Sequence, residues 1–124
     1  MTYDSNNIFA RIIRGEIPCK KVYEDELVLA FHDVSPAAPV HVLVVPKGDF
    51  ISFDDFVLKN KPEVVGAFFS KVREIAKQLA VVESGYRLIS NHGENASQSV
   101  KHFHVHIIGG KELGGLLPDD VLNR

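Results

Sequence analysis

The chain lacks tryptophan and carries one methionine and one cysteine among its 124 residues. A lone thiol, Cys19, makes no internal disulfide and no multi-thiolate metal centre, so a reducing, cytoplasmic location is expected. Cys19 stands in a polar stretch whose only charged neighbours are lysines, and it is read as incidental. No apolar run approaches the roughly 20 residues that a membrane helix needs. The N-terminal stretch mixes both charge signs and has no signal-peptide core. No membrane partner is therefore expected. Neither charge sign is in excess: the formal net charge is -2. A bulk attraction for nucleic acid is excluded on that ground. A Walker-type glycine loop ending in lysine is also missing, which rules out a P-loop nucleotidase.

What is present fits a soluble globular protein, with 45% hydrophobic and 24% charged residues. The length predicts one domain over residues 1–124 with one sizeable core. Asp4, Ser5 and Asn6 are N-cap candidates for a short amphipathic helix through Ile8, Phe9, Ile12 and Ile13. Gly15 and Pro18 end it. Strands are expected at 21–24, 27–31 and 41–46. Residues 49–61 are mixed, with Asp54 and Asp55 capping a short turn. Pro62 opens a long amphipathic helix whose stripe runs through Val65, Phe68, Val72, Ile75, Ala76 and Leu79. A fourth strand at 86–91, a polar loop at 92–99 and a fifth strand at 101–108 follow. The tail, 111–124, reads as irregular. Short connections between strands predict an α+β fold: an antiparallel sheet of about five strands, with one long and one short helix.

Three of the six histidines stand at every second position of the last strand: His102, His104 and His106. In extended chain they share one face, and Phe103, Val105 and Ile107 share the other. Histidine clusters suggest a metal, but strand rise sets His102 and His106 about 13 Å apart, too far for one ion. A shared site would need Asp33 or His41 as a further ligand, and the spacing matches no structural zinc pattern. The polar loop upstream offers another chemistry. Its backbone N–H groups predict an anion nest, and Ser97, Gln98 and Ser99 add donors. A neutral histidine facing such a nest is a nucleophile near pH 7 and suits attack on phosphorus. By pattern alone, His41 is a structural residue at a strand end, and Ile8, Phe9 and Ile12 are core.

The His-x-His-x-His run followed by apolar residues resembles the signature of the histidine triad (HIT) superfamily. The resemblance extends through Ile8 to Pro18, Ala30 to Pro36, His41 to Lys47 and Asn91 to Gly110, all similar to its Hint branch. It implies a hydrolase or transferase of purine nucleoside 5′-phosphoramidates or aminoacyl-adenylate-type substrates. His104, its Nδ1–H held by a main-chain carbonyl and its Nε2 the nucleophile, would attack the α-phosphorus and form a nucleotidyl-histidine, from which water would release a nucleoside monophosphate. His106 would bind phosphate oxygen, and His102 and His41 would complete an imidazole cluster that supports proton transfer. Ser99 would donate to the phosphate or leaving group, with Ser97, Gln98 and Asn91 beside it. Asp33 would accept from the ribose. Ile8, Phe9, Ile12, Phe31, Val34 and Leu43 would wall the base. The resemblance further implies no cofactor, no catalytic metal and a homodimer whose two sheets are continuous. Ser97 stands where many relatives have glycine, and the tail lacks the tryptophan that some relatives place near the leaving group. The dinucleoside polyphosphate hydrolases, the other large triad branch, and a nucleotide-binding regulatory protein with little turnover are the competing readings.

Overall fold

The computed structural model describes residues 2–122. Helix α1 spans Ile8–Ile13. Its cap is Asn7, one residue beyond the expected candidates: the Asn7 side chain accepts from the Ala10 N–H at 2.9 Å. Asp4 instead takes the Asn6 N–H and so shapes the approach to the helix. Gly15, at a φ of +79°, lets the chain turn away.

Strands β1 (Lys21–Glu24), β2 (Val28–His32) and β3 (Val40–Pro46) follow as an antiparallel meander. Then comes an element that sequence reading took for a turn, helix α2 over Phe53–Lys59. At two turns it is too short to show a period, and burial of Phe56 holds it. The cap position is Ser52 and not the expected Asp54 or Asp55, which lie inside the first turn, where Asp55 accepts the Ile51 N–H at 2.8 Å. Helix α3 covers Pro62–Gln78, with proline in its first turn as expected. Strand β4 is Tyr86–Ile89, and β5 is Val105–Gly109.

The five strands form one antiparallel sheet in the order β1-β2-β3-β5-β4. The last strand thus enters the interior of the sheet, paired with β3 and β4 on either side. It begins later than expected. His102, Phe103 and His104 precede the ladder, and only His106 lies within it. The reason is a competing bond, because the Phe103 N–H donates to the carbonyl of Phe50 at 2.7 Å and not to a neighbouring strand. The alternation of faces nevertheless persists through this segment.

One face of the sheet carries the main core. Ala30, Val42, Val44, Val105 and Ile107 meet Phe68, Val72, Ile75 and Ala76 of α3 and Phe56 of α2. Phe103 belongs to this core, stacked on Phe56 at 4.8 Å between ring centroids and tilted against Phe68 at 5.3 Å. The opposite face holds a smaller cluster of Phe9, Leu29, Phe31, Leu43 and Val45. The histidines share this second face. Residues 111–122 form no helix or strand, as expected of the tail, whose last two residues lie outside the described part. The Arg87 guanidinium ties the tail to β4 by donating to the carbonyls of Gly114 and Gly115.

Phe103 anchors the histidine segment from behind, so its loss should be costly. Phe103→Ala is expected to destabilise the protein by about 3–5 kcal/mol. Urea unfolding followed by circular dichroism measures this; a cost under about 1 kcal/mol would show that the aromatic cluster is not the anchor.

Candidate active site

His41, His102 and His104 each have a main-chain group facing one ring nitrogen, and that group decides where the proton sits. A carbonyl oxygen only accepts, so a nitrogen facing one carries hydrogen. His104 Nδ1 lies 2.7 Å from the carbonyl oxygen of His102. The proton is therefore on Nδ1, and Nε2 keeps its lone pair. The His104 backbone is held in turn by Ser90, whose hydroxyl donates to the His104 carbonyl at 3.1 Å.

His41 is set the opposite way. The Ala37 N–H donates to its Nδ1 at 2.9 Å, so a neutral His41 carries its proton on Nε2. That Nε2 lies 2.9 Å from Nδ1 of His106. The proton of His106 is thereby placed on its own Nε2, which becomes a donor. The sheet makes this pairing, since His41 is the second residue of β3 and Leu43, two residues on and on the same face, pairs with His106 across the ladder. The rings of His104 and His106 stand 5.1 Å apart, edge to face, so a bare nitrogen and a donor nitrogen share one surface.

His102 differs from the expectation. Its Nε2 donates to the carbonyl of Pro46 at 2.8 Å, and its Nδ1 accepts from the hydroxyl of Tyr3 at 2.6 Å. Both nitrogens are occupied and the residue is 1% exposed. The ring therefore has no open position for proton transfer with a ligand, and His102 contributes through its carbonyl. The resemblance implies a main-chain carbonyl at His104 Nδ1 without naming its residue, and the structure gives that of His102.

The loop also departs from the expectation of a nest. The N–H groups of Ala96, Ser97 and Gln98 bond to carbonyls of Gly93 and Glu94 within the loop. Gln98 is buried, and its amide is fully used: it accepts the Gly93 N–H and donates to the carbonyls of Ile51 and Val100. It braces the loop and has no donor left for a ligand. Ser97 adopts the left-handed conformation, φ 56° and ψ 41°, which glycine takes without steric cost. Its side chain is exposed, as is that of Ser99. Ser99 and the half-buried Asn91 make no hydrogen bond among the described residues, so both remain open to a ligand.

Asp33 follows β2. One carboxylate oxygen accepts the Ser35 N–H, and the other lies 3.5 Å from His41 Nε2. Of the expected apolar wall, Phe9, Phe31 and Leu43 are packed in the second cluster and form a floor. Ile12 is half-buried against them, while Ile8 and Val34 are exposed, Val34 at 97%. Phe9 stands edge-on to His104 at 4.9 Å and so joins this floor to the imidazoles.

Asp33, His41 and His106 bring three possible ligand atoms within 4.8 Å of one another. The set does not fit a divalent cation. A ligating histidine gives its second N–H to an acceptor, but the second nitrogen of His41 faces the Ala37 N–H, a donor. His41 Nε2 thus holds a proton where a metal would need a lone pair.

With this geometry in place, comparisons with known proteins are specific. The family model described as HIT domain matches residues 14–113. An uncharacterized HIT-like protein of Azospirillum brasilense is 50% identical over 116 residues, 94% of this chain and 95% of its own length. The purine nucleoside phosphoramidase of Escherichia coli (strain K12) is 41% identical over 110 residues, 89% of this chain and 92% of its own. The solved structure of a histidine triad protein from Clostridium difficile is 41% identical, with a TM-score of 0.82 over 92% of this chain and 98% of that one.

Burial pushes the pKa of His102 and His104 below the usual 6.5 of an imidazole. Burial, with His104 and His41 alongside, takes His106 down to about 4. The unfolded chain binds protons on these rings near pH 6.5, and the folded chain does not. Stability from this source is therefore complete above pH 6.5 and lost as pH falls toward 4. The urea midpoint should be lower at pH 5 than at pH 7, with the His106 titration in NMR spectra centred near 4. Equal midpoints with a His106 titration near 6.5 would refute this.

Proposed function

This chain belongs to the HIT domain family, and from that premise we propose that it cleaves purine nucleoside 5′-phosphoramidates or aminoacyl-adenylate-type substrates, releasing a nucleoside monophosphate. The observation that carries this reading is the bond from His104 Nδ1 to the His102 carbonyl, which leaves Nε2 free as a nucleophile.

The His104 Nε2 lone pair attacks the α-phosphorus. The bond from phosphorus to the leaving nitrogen or acyl oxygen breaks, and a nucleotidyl-histidine results. Water then attacks the same phosphorus, the P–N bond to His104 breaks and the monophosphate leaves. His106 Nε2–H, oriented through His41 and Ala37, donates to a phosphate oxygen as charge builds there. The exposed Ser99 hydroxyl donates to the phosphate or leaving group, with Asn91 and Ser97 beside it. Asp33 accepts from the ribose hydroxyls. Ile8, Ile12 and Val34 line the base over the floor of Phe9, Phe31 and Leu43. The reading needs no cofactor and treats residues 1–124 as one cytoplasmic domain.

The same reading makes the protein a homodimer with a continuous sheet. The exposed edge of β4 is the better candidate for the join. The β1 edge carries Lys21 and Glu24 and a register irregularity, which are devices that discourage pairing. The β4 edge, by contrast, presents the exposed Leu88. Sedimentation equilibrium should give twice the mass of the chain, and Leu88→Lys should shift it toward the monomer. A monomeric wild type would exclude the join.

His104→Ala should reduce release of AMP from adenosine 5′-phosphoramidate by at least about a thousandfold, the order of loss on removing a nucleophile. Full retained activity would sink the proposal. A panel that includes diadenosine polyphosphate separates the two triad branches. Nucleotide binding without turnover of any substrate by the wild type would favour a regulatory role.

A further inference from the structure

We infer that Tyr3 is a positioning residue for His104, acting through the clamped ring and the carbonyl of His102; the inference rests on the reading of His104 as the nucleophile. A neutral imidazole offers one donor and one acceptor. Buried His102 gives its donor to the Pro46 carbonyl, and the Tyr3 hydroxyl is the donor that fills its acceptor. The same residue then supplies the carbonyl that holds His104 Nδ1–H at 2.7 Å. The Phe103 N–H bond to the Phe50 carbonyl orients the peptide plane of the His102 carbonyl, and fixing the ring of the same residue at both ends holds the Cα from which that plane hangs.

The N-terminal arm is built to keep Tyr3 there. The carbonyl of Asp4 accepts from the Asn7 side chain at 2.8 Å and from the Asn7 N–H at 3.2 Å. The carbonyl of Ser5 accepts from Arg14 at 2.7 Å. Asn7 also caps α1, so the arm and the helix move as one piece. That helix places Phe9 edge-on to both His102 and His104. The Tyr3 ring itself lies edge-on to His102, 5.7 Å between centroids. Partial burial raises the Tyr3 pKa, which keeps its hydroxyl protonated as a donor at neutral pH.

Tyr3→Phe removes the donor and keeps the ring. Nδ1 of His102 is then buried without a partner, and the residue must shift or admit water. Turnover of adenosine 5′-phosphoramidate should fall about tenfold in kcat with KM unchanged, inside the hundredfold that a misplacement of roughly 1 Å allows. Nitrogen-15 spectra of the substrate-free protein should show the wild-type His102 Nδ1 as an unprotonated, hydrogen-bonded nitrogen. The His104 Nδ1 proton should exchange faster in the variant. The inference is overturned if wild-type His102 Nδ1 has the shift of a free lone pair, a result obtained even if the variant does not fold. It is equally overturned if kcat is unchanged, or if kcat falls while the His104 signal stays as in wild type. These spectra need no substrate, so failure here is distinct from retained activity in His104→Ala.

Discussion

A histidine ring is useful at a reactive site only when the right nitrogen holds the lone pair. In this protein that choice is made by main-chain groups. The His102 carbonyl takes the Nδ1 proton of His104, the Ala37 N–H takes the lone pair of His41 Nδ1, and the Pro46 carbonyl takes the Nε2 proton of His102. A backbone group cannot be rotated away like a side chain, so each ring is held in one tautomer. His106 is set at second hand, through His41. The result is one bare nitrogen and one donor nitrogen on neighbouring rings.

The sheet exists in the form that this arrangement needs. The stretch from Ala37 to Pro46 is distant in sequence from the stretch from His102 to His106, and the pairing of β3 with β5 sets the two side by side. Packing α2 and α3 on one face leaves the other to α1 and the imidazoles. Phe103, Val105 and Ile107 point into the helix-side core, so the histidines between them point the other way. Phe103 does this even before the ladder begins, because it is held by Phe56 and Phe68 and by its N–H bond to Phe50. An aromatic anchor takes the place of strand pairing at the point where the chain leaves the sheet.

Burial then adds an electrostatic consequence. Desolvation favours the neutral form of each triad imidazole, and the neighbouring rings lower His106 further. A neutral His104 keeps the lone pair on Nε2, and a neutral His106 keeps the proton on its own Nε2. In the loop beside them the N–H groups of Gly93, Ala96, Ser97 and Gln98 are paired internally, and Gln98 is a brace. The side chains of Ser99 and Asn91, at its two ends, make no hydrogen bond among the described residues.

Periodicity and residue type in the chain determined much by themselves. The alternation of histidine with Phe103, Val105 and Ile107, the long helix from Pro62, the antiparallel sheet and the family signature are all local patterns, and each appears in the fold. Other features were decided by distant partners. The late start of β5 depends on Phe50, helix α2 depends on burial of Phe56, and the closed ring of His102 depends on Pro46 and on Tyr3, 56 and 99 residues away. Sequence pattern tells which face a side chain takes, because that follows from backbone geometry alone. It does not tell which main-chain oxygen or N–H will meet a ring nitrogen, because every residue but proline carries both. Only the folded chain selects among them, and that selection sets His104, His106 and His102 apart.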